Sequence, residues 1–147
     1  MAVRVEVGFR DGVRDPRGER VVREAREMAR IHLQNVRTLS VYTVDVDLSP
    51  EELVRIASGP FTDPVIQEFS IGKPLPGRFD FILEVGFKPG VTDNVGRSAG
   101  EAVSQVIGRS LAEGEGVYSS IQYRVTGNLD ERDARRLVSQ VLSLIHI

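Results

Sequence analysis

Cysteine and tryptophan are absent from this 147-residue chain, histidine occurs twice, and lysine is limited to Lys73 and Lys88. Without a thiol there can be no disulfide framework and no cysteine nucleophile. His32 and His146 alone cannot build a multi-histidine metal site. A basic excess is missing too: 19 Lys and Arg stand against 21 Asp and Glu, a formal charge of −2, so no nucleic-acid partner is expected. No apolar run approaches the roughly 20 residues of a membrane span. The opening MAVRVEVGFR alternates charged and apolar residues where a secretory signal needs an unbroken apolar stretch, which points to a cytoplasmic protein with no membrane partner. The remaining cations are all arginine. They are scattered and matched by acids, which fits the codon bias of a GC-rich genome better than a phosphate-recognition patch.

What is present is a repeat. VEVGFRDGVRDPRGERVVREA (5–25) lies without a gap over LEVGFKPGVTDNVGRSAGEAV (83–103), with eight identities at an offset of 78, among them Gly12/Gly90, Val13/Val91, Asp15/Asp93 and Gly18/Gly96. A second block, 41–58 over 122–139, keeps Tyr42/Tyr123, Val44/Val125, Leu48/Leu129, Arg55/Arg136 and Ser58/Ser139 at an offset of 81. The chain therefore divides into unit 1 (1–73), a linker (74–77) rich in proline and glycine, and unit 2 (78–147).

Each unit opens with alternating apolar residues, Val3 to Phe9 and Phe79 to Phe87, the signature of a strand buried on one face. A turn follows, then a helix whose N-cap is Asp15 or Asp93. Gly12 and Gly90 sit where the chain must reverse, and positive φ is expected there. Val21, Ala25, Met28 and His32 form one helical stripe, and Val95, Ala99, Ala102, Val103 and Val106 another. A second strand is expected over 36–46 and over 117–125. The apolar parity shift between Leu39/Val41 and Tyr42/Val44/Val46 predicts a bulge near Val41. Ser49 and Asp130 open short helices, and a third strand is expected over 65–71. In unit 2 that strand would only be starting at the final LSLIHI. This string resembles a peptide produced when a sequencing adapter is read as coding sequence, so truncation is expected and the native status of 142–147 stays open. The fold class is α+β: tandem β-α-β-α-β units forming a pseudo-dimer, with antiparallel or mixed sheets and helices packed on them.

GVRDPRG, placed between strand and helix, resembles the GVLDPQG-type motif of PurS, the small subunit of phosphoribosylformylglycinamidine synthase. EVGFKPGVTDNVGRSA is similar to the matching segment of the large PurL-type synthases, where two PurS-like units are fused. The resemblance implies a non-catalytic scaffold in purine biosynthesis whose partners are the synthetase and glutaminase domains or subunits of that enzyme. It implies that ATP and Mg serve the complete enzyme, a glutamine-dependent ligase, and not this segment. The motif positions are Gly12, Val13, Asp15, Gly18, Gly90, Val91, Asp93 and Gly96. Unit 1 has Asp11 and Arg17 where unit 2 has Pro89 and Val95, which argues against exact symmetry.

No catalytic, cofactor-binding or metal residue is assigned from the sequence. Asp45, Asp47, Glu51 and Glu52 cluster, but a strand end and a helix start account for them. Gly8, Gly12 and Gly18 follow neither the P-loop nor the dinucleotide-binding pattern, and Asp15 would compete with a phosphate for the same N–H groups. Two rival readings are a freestanding regulatory module that binds a small metabolite in the cleft between units and, ranked last, a small enzyme.

Overall fold

A computed structural model describes residues 2–87 and 92–142. Its elements are β1 (Val3–Phe9), α1 (Pro16–Ala29), β2 (Asn35–Asp45), α2 (Pro50–Ser58), β3 (Gln67–Ile71), β4 (Phe81–Gly86), α3 (Asn94–Ile107), β5 (Gly116–Thr126) and α4 (Glu131–Leu137), the last running into a π-helical turn, Val138–Leu142. The strands form a single antiparallel sheet in the order β3-β1-β2-β5-β4.

The two 11-residue strands, β2 and β5, pair along their whole length with Ser40 opposite Ile121. These two residues are counterparts at the repeat offset of 81. Val3 lies opposite Val44 in one half and Phe81 opposite Val125 in the other, which is the same register carried over by the offsets 78 and 81. Helices cover one face of the sheet, and the linker crosses the other.

Local chemistry explains the boundaries. Pro16 stands in the first turn of α1, where its missing N–H costs nothing. Ser49 and Glu52 form a reciprocal capping box on α2, and Asp130 caps α4 through the N–H of Asp133. α1 ends earlier than its apolar stripe suggests, because Arg30 turns left-handed at φ 54 and its N–H closes on Ala25. His32 therefore lies exposed in the following loop, and Met28 is 47% exposed. β3 begins at Gln67 because the carboxylate and carbonyl of Asp63 hold Val65, Ile66 and Gln67 in a turn. β4 begins at Phe81, and Phe79 instead lies under the Arg124 guanidinium.

The bulge expected near Val41 does not form, since β2 pairs continuously with both neighbours. Its parity shift has a different cause: both faces of β2 are covered. Val36, Tyr42 and Val44 face the helices, while Leu39 and Val41 pack with Leu75 of the linker. A third strand of unit 2 at 143–147 lies outside the described residues. The preceding Val141 and Leu142 are helical and fully buried.

Beneath the helices the core forms two clusters, and each draws on both halves of the chain. Val21, Ala25 and Ala29 of α1 pack with Val36 and also with Tyr123, Val125, Leu137, Val141 and Leu142. Ala99 and Val103 of α3 pack with Val117 and also with Val5, Val7, Val44, Ile56 and Phe61. Each first helix thus closes the core of the opposite half.

Candidate functional site

At the first motif turn the Val13 N–H donates to the Arg10 carbonyl, 3.1 Å, and Gly12 takes φ +83 with nothing near its missing side chain. Gly12 is there for backbone freedom. Two residues after Val13, the Asp15 carboxylate is 2% exposed and does more than cap α1. It accepts from the Gly18 N–H at 2.9 Å, from the Thr38 N–H at 2.6 Å and from the Thr38 hydroxyl at 3.0 Å. Gly18 then sits so close to β2 that a Cβ would lie 1.9 Å from the Val36 carbonyl oxygen.

The second motif repeats this arrangement. Asp93 accepts from the Gly96 N–H at 2.7 Å and from the N–H and hydroxyl of Ser119, both at 2.6 Å. A Cβ on Gly96 would lie 2.7 Å from the Val117 oxygen. Gly90 and Val91 fall outside the described residues. The Asp-x-x-Gly portion of each motif is a staple, in which the carboxylate ties the helix start to the neighbouring strand and the glycine permits the approach. Thr38 and Ser119 are the partners that the reading of the motif alone missed. Both carry a hydroxyl at one repeat position, and that was the available signal.

This geometry also answers the resemblance to phosphate-binding loops. The Gly18 and Gly96 N–H groups are already taken by internal carboxylates, so neither is free to donate to a phosphate. Among the described residues, no group of three His, Asp or Glu side chains is placed to hold a metal ion. Ser49 and Glu52 cap α2, and the Asp47 N–H donates to Glu115, so two members of the acidic cluster have structural work.

The face away from the helices carries a charged network that the strand alternation did not reveal. Glu6, 3% exposed, accepts from Arg124 at 3.1 Å, from Arg4 at 3.0 Å and from the Leu75 N–H at 3.0 Å. Arg124, 5% exposed, also donates to the Leu75 carbonyl at 2.8 Å and to Gln122 at 2.8 Å. Arg4 reaches on to Glu84, the repeat counterpart of Glu6, with one bond of 3.0 Å and a second from its other terminal nitrogen. The hydrogen-bonded Arg4 guanidinium holds the Glu84 carboxyl below its ordinary range, and Glu84 in turn raises Arg4. Burial lowers Arg124, partly offset by the charge of Glu6. Every one of these groups is engaged in holding strands and linker together.

On the helix side, a groove runs between α1 and α3 over the middle of the sheet. Its central cavity, about 130 Å³, is lined by Arg17, Ser40, Tyr42, Val95, Ser119 and Ile121, with neighbours on β4. A cavity of about 390 Å³ adjoins it at Tyr42 and Val95, and one of about 290 Å³ adjoins it at Arg17 and Ser40. Tyr42 stacks on Phe61 with ring centroids 4.1 Å apart. Burial raises the Tyr42 phenol, against a smaller opposing effect of Arg17.

No curated protein matches the chain. A family model does: PurS, described as phosphoribosylformylglycinamidine (FGAM) synthase, matches residues 2–73. That span takes in the first motif turn, the Asp15 staple and all three strands of the first half, and it supports a PurS-like domain over residues 2–73.

Proposed function

We propose that the chain is a non-catalytic scaffold of FGAM synthase, made of two PurS-like units, 1–73 and 78–147, joined by a linker at 74–77 into a pseudo-dimer. The observation that carries this reading is the recurrence of the Asp15 staple, which lies within the family match, in the half that the family model does not cover. Asp15 with Thr38 and Gly18 over Val36 in one half correspond to Asp93 with Ser119 and Gly96 over Val117 in the other. Counterpart residues making counterpart contacts, together with a β2–β5 register centred on Ser40 and Ile121, support a twofold relation between the units. On this reading ATP, Mg and glutamine are handled by the synthetase and glutaminase parts of the enzyme, and this chain holds those parts together.

Reconstitution tests the proposal. Purified synthetase and glutaminase components would be assayed for glutamine-dependent FGAM formation with and without the chain. The expected result is no turnover by the chain alone, and complex formation with coupled activity only when it is added. Turnover by the chain alone, or full coupling in its absence, overturns the scaffold reading.

A further inference from the structure

The groove between α1 and α3 lies where the two halves meet, and its walls are unlike. Arg17 in the first turn of α1 and Val95 in the first turn of α3 are counterparts at the offset of 78, and both line the central cavity. Arg17 is exposed and makes no hydrogen bond or ion pair among the described residues. The same cavity is lined by Val95, 53% exposed, and by Phe87, just after β4, 46% exposed. Ser40, Tyr42 and Ser119 provide a floor of hydroxyl groups. Among the described residues, no acidic side chain lines any of the three adjoining cavities, and Arg17 is the one charged residue in their linings.

A cation with no partner among the described residues, set beside exposed apolar side chains, selects a complementary pair of groups, a carboxylate and an apolar side chain a few ångströms apart. We propose that this groove is the docking site for an acidic, apolar-bearing segment of a partner chain of the synthase, with its carboxylate on Arg17 and its apolar side chain on Val95 and Phe87. The inference rests on the scaffold reading and deepens it. The repeat supplies two equivalent walls, and the Arg17/Val95 difference makes the groove directional, so one partner segment can enter in one orientation only.

The test measures binding of the intact chain to the purified synthetase and glutaminase components by isothermal titration calorimetry. Arg17→Glu and Val95→Asp are compared with two exposed controls away from the groove, Arg20→Glu on α1 and Val54→Asp on α2. Circular dichroism melts establish that each variant is folded. The expected result is a loss of about tenfold or more in affinity for each groove variant and less than about twofold for the controls. Raising the salt concentration should weaken the parent more than Arg17→Glu. If the parent binds and both groove variants bind equally well, the groove is not the docking site and the scaffold reading stands. If the parent binds neither component, the scaffold reading fails and takes this inference with it. Self-association of the parent that Arg17→Glu or Val95→Asp abolishes would make a second copy the occupant and would also overturn the proposal.

Discussion

At the scale of single residues, the motif positions separate into two kinds of demand. Gly12 is in open space at φ +83, so replacing it with valine is penalised by backbone conformation alone, about 1–3 kcal/mol. Gly18 has ordinary helical geometry and no room, so Gly18→Ala must push α1 off β2, an overpacking cost of about 1–3 kcal/mol or more. Arg17→Ala, at an exposed position, should stay within about 0.5 kcal/mol of the parent. Urea melts of the three variants check this order, and Arg17→Ala melting earliest would refute it. Asp15→Ala loses the cap, about 0.5–2 kcal/mol, and leaves buried donors of Thr38 unpaired, about 1–3 kcal/mol, so it should be the most damaging single change in the motif. Glu115 gives a pH signature. Arg109, helped by the N–H groups of Ala112 and Asp47, holds its carboxyl down from 4.5 to about 2. A depressed folded-state value stabilises above the unfolded value and is lost as pH falls towards the folded one. The melting difference between the parent and Glu115→Gln should therefore be full at pH 7 and shrink between about pH 5 and pH 2. An unchanged difference across that range would show that the contact is not ionic.

At the scale of elements, the strands and caps were legible because each is written locally. Val3, Val5 and Val7 alternate with Arg4 and Glu6, and Asp15, Ser49 and Asp93 announce three helices. The path of β2 was not legible, because Leu39 and Val41 are buried by Leu75, 36 and 34 positions further on. A local pattern has no means of showing that a linker returns across the far face of the sheet. Leu75 is held at both ends of its peptide unit, its N–H on Glu6 and its carbonyl on Arg124. That backbone clamp should survive Leu75→Ala, so the substitution isolates the packing of the side chain. It should cost about 2 kcal/mol, the low end for Leu→Ala, since the cluster it leaves is small. A melt indistinguishable from the parent would mean that the linker is held by its hydrogen bonds alone. The Glu6–Arg124 and Arg4–Glu84 pairs were hidden in the sequence for the same reason: Glu6 and Arg124 are 118 positions apart and Arg4 and Glu84 are 80 apart.

At the scale of the whole molecule, both core clusters beneath the helices draw on residues from the two halves of the chain. The helix of each half closes over the strands of the other, so the apolar face of α1 at Val21, Ala25 and Ala29 has its partners in Tyr123, Val125, Leu137, Val141 and Leu142. A fragment of residues 1–73 would retain β1, β2 and β3 but would present that face to water, together with the edge of β2 that pairs with β5 over 11 residues. Burying one such side chain is worth about 1.5–3 kcal/mol, and a folded domain has only about 5–15 kcal/mol of net stability, so losing several of these contacts at once leaves no stable monomer. The fragment does carry everything needed to replace its missing half with a second copy of itself. Because the β2–β5 register is centred on counterpart residues, two β2 strands could pair antiparallel with Ser40 opposite Ser40, and each α1 would close over the other copy. The isolated 1–73 fragment is therefore expected to fold only as a dimer, with a melting midpoint that rises with protein concentration, while the midpoint of the whole chain stays independent of it. Sedimentation equilibrium alongside melts over a hundredfold concentration range checks both. A monomeric fragment with a cooperative, concentration-independent transition would show that unit 1 closes its own core and that the helix exchange is not what holds the two halves together.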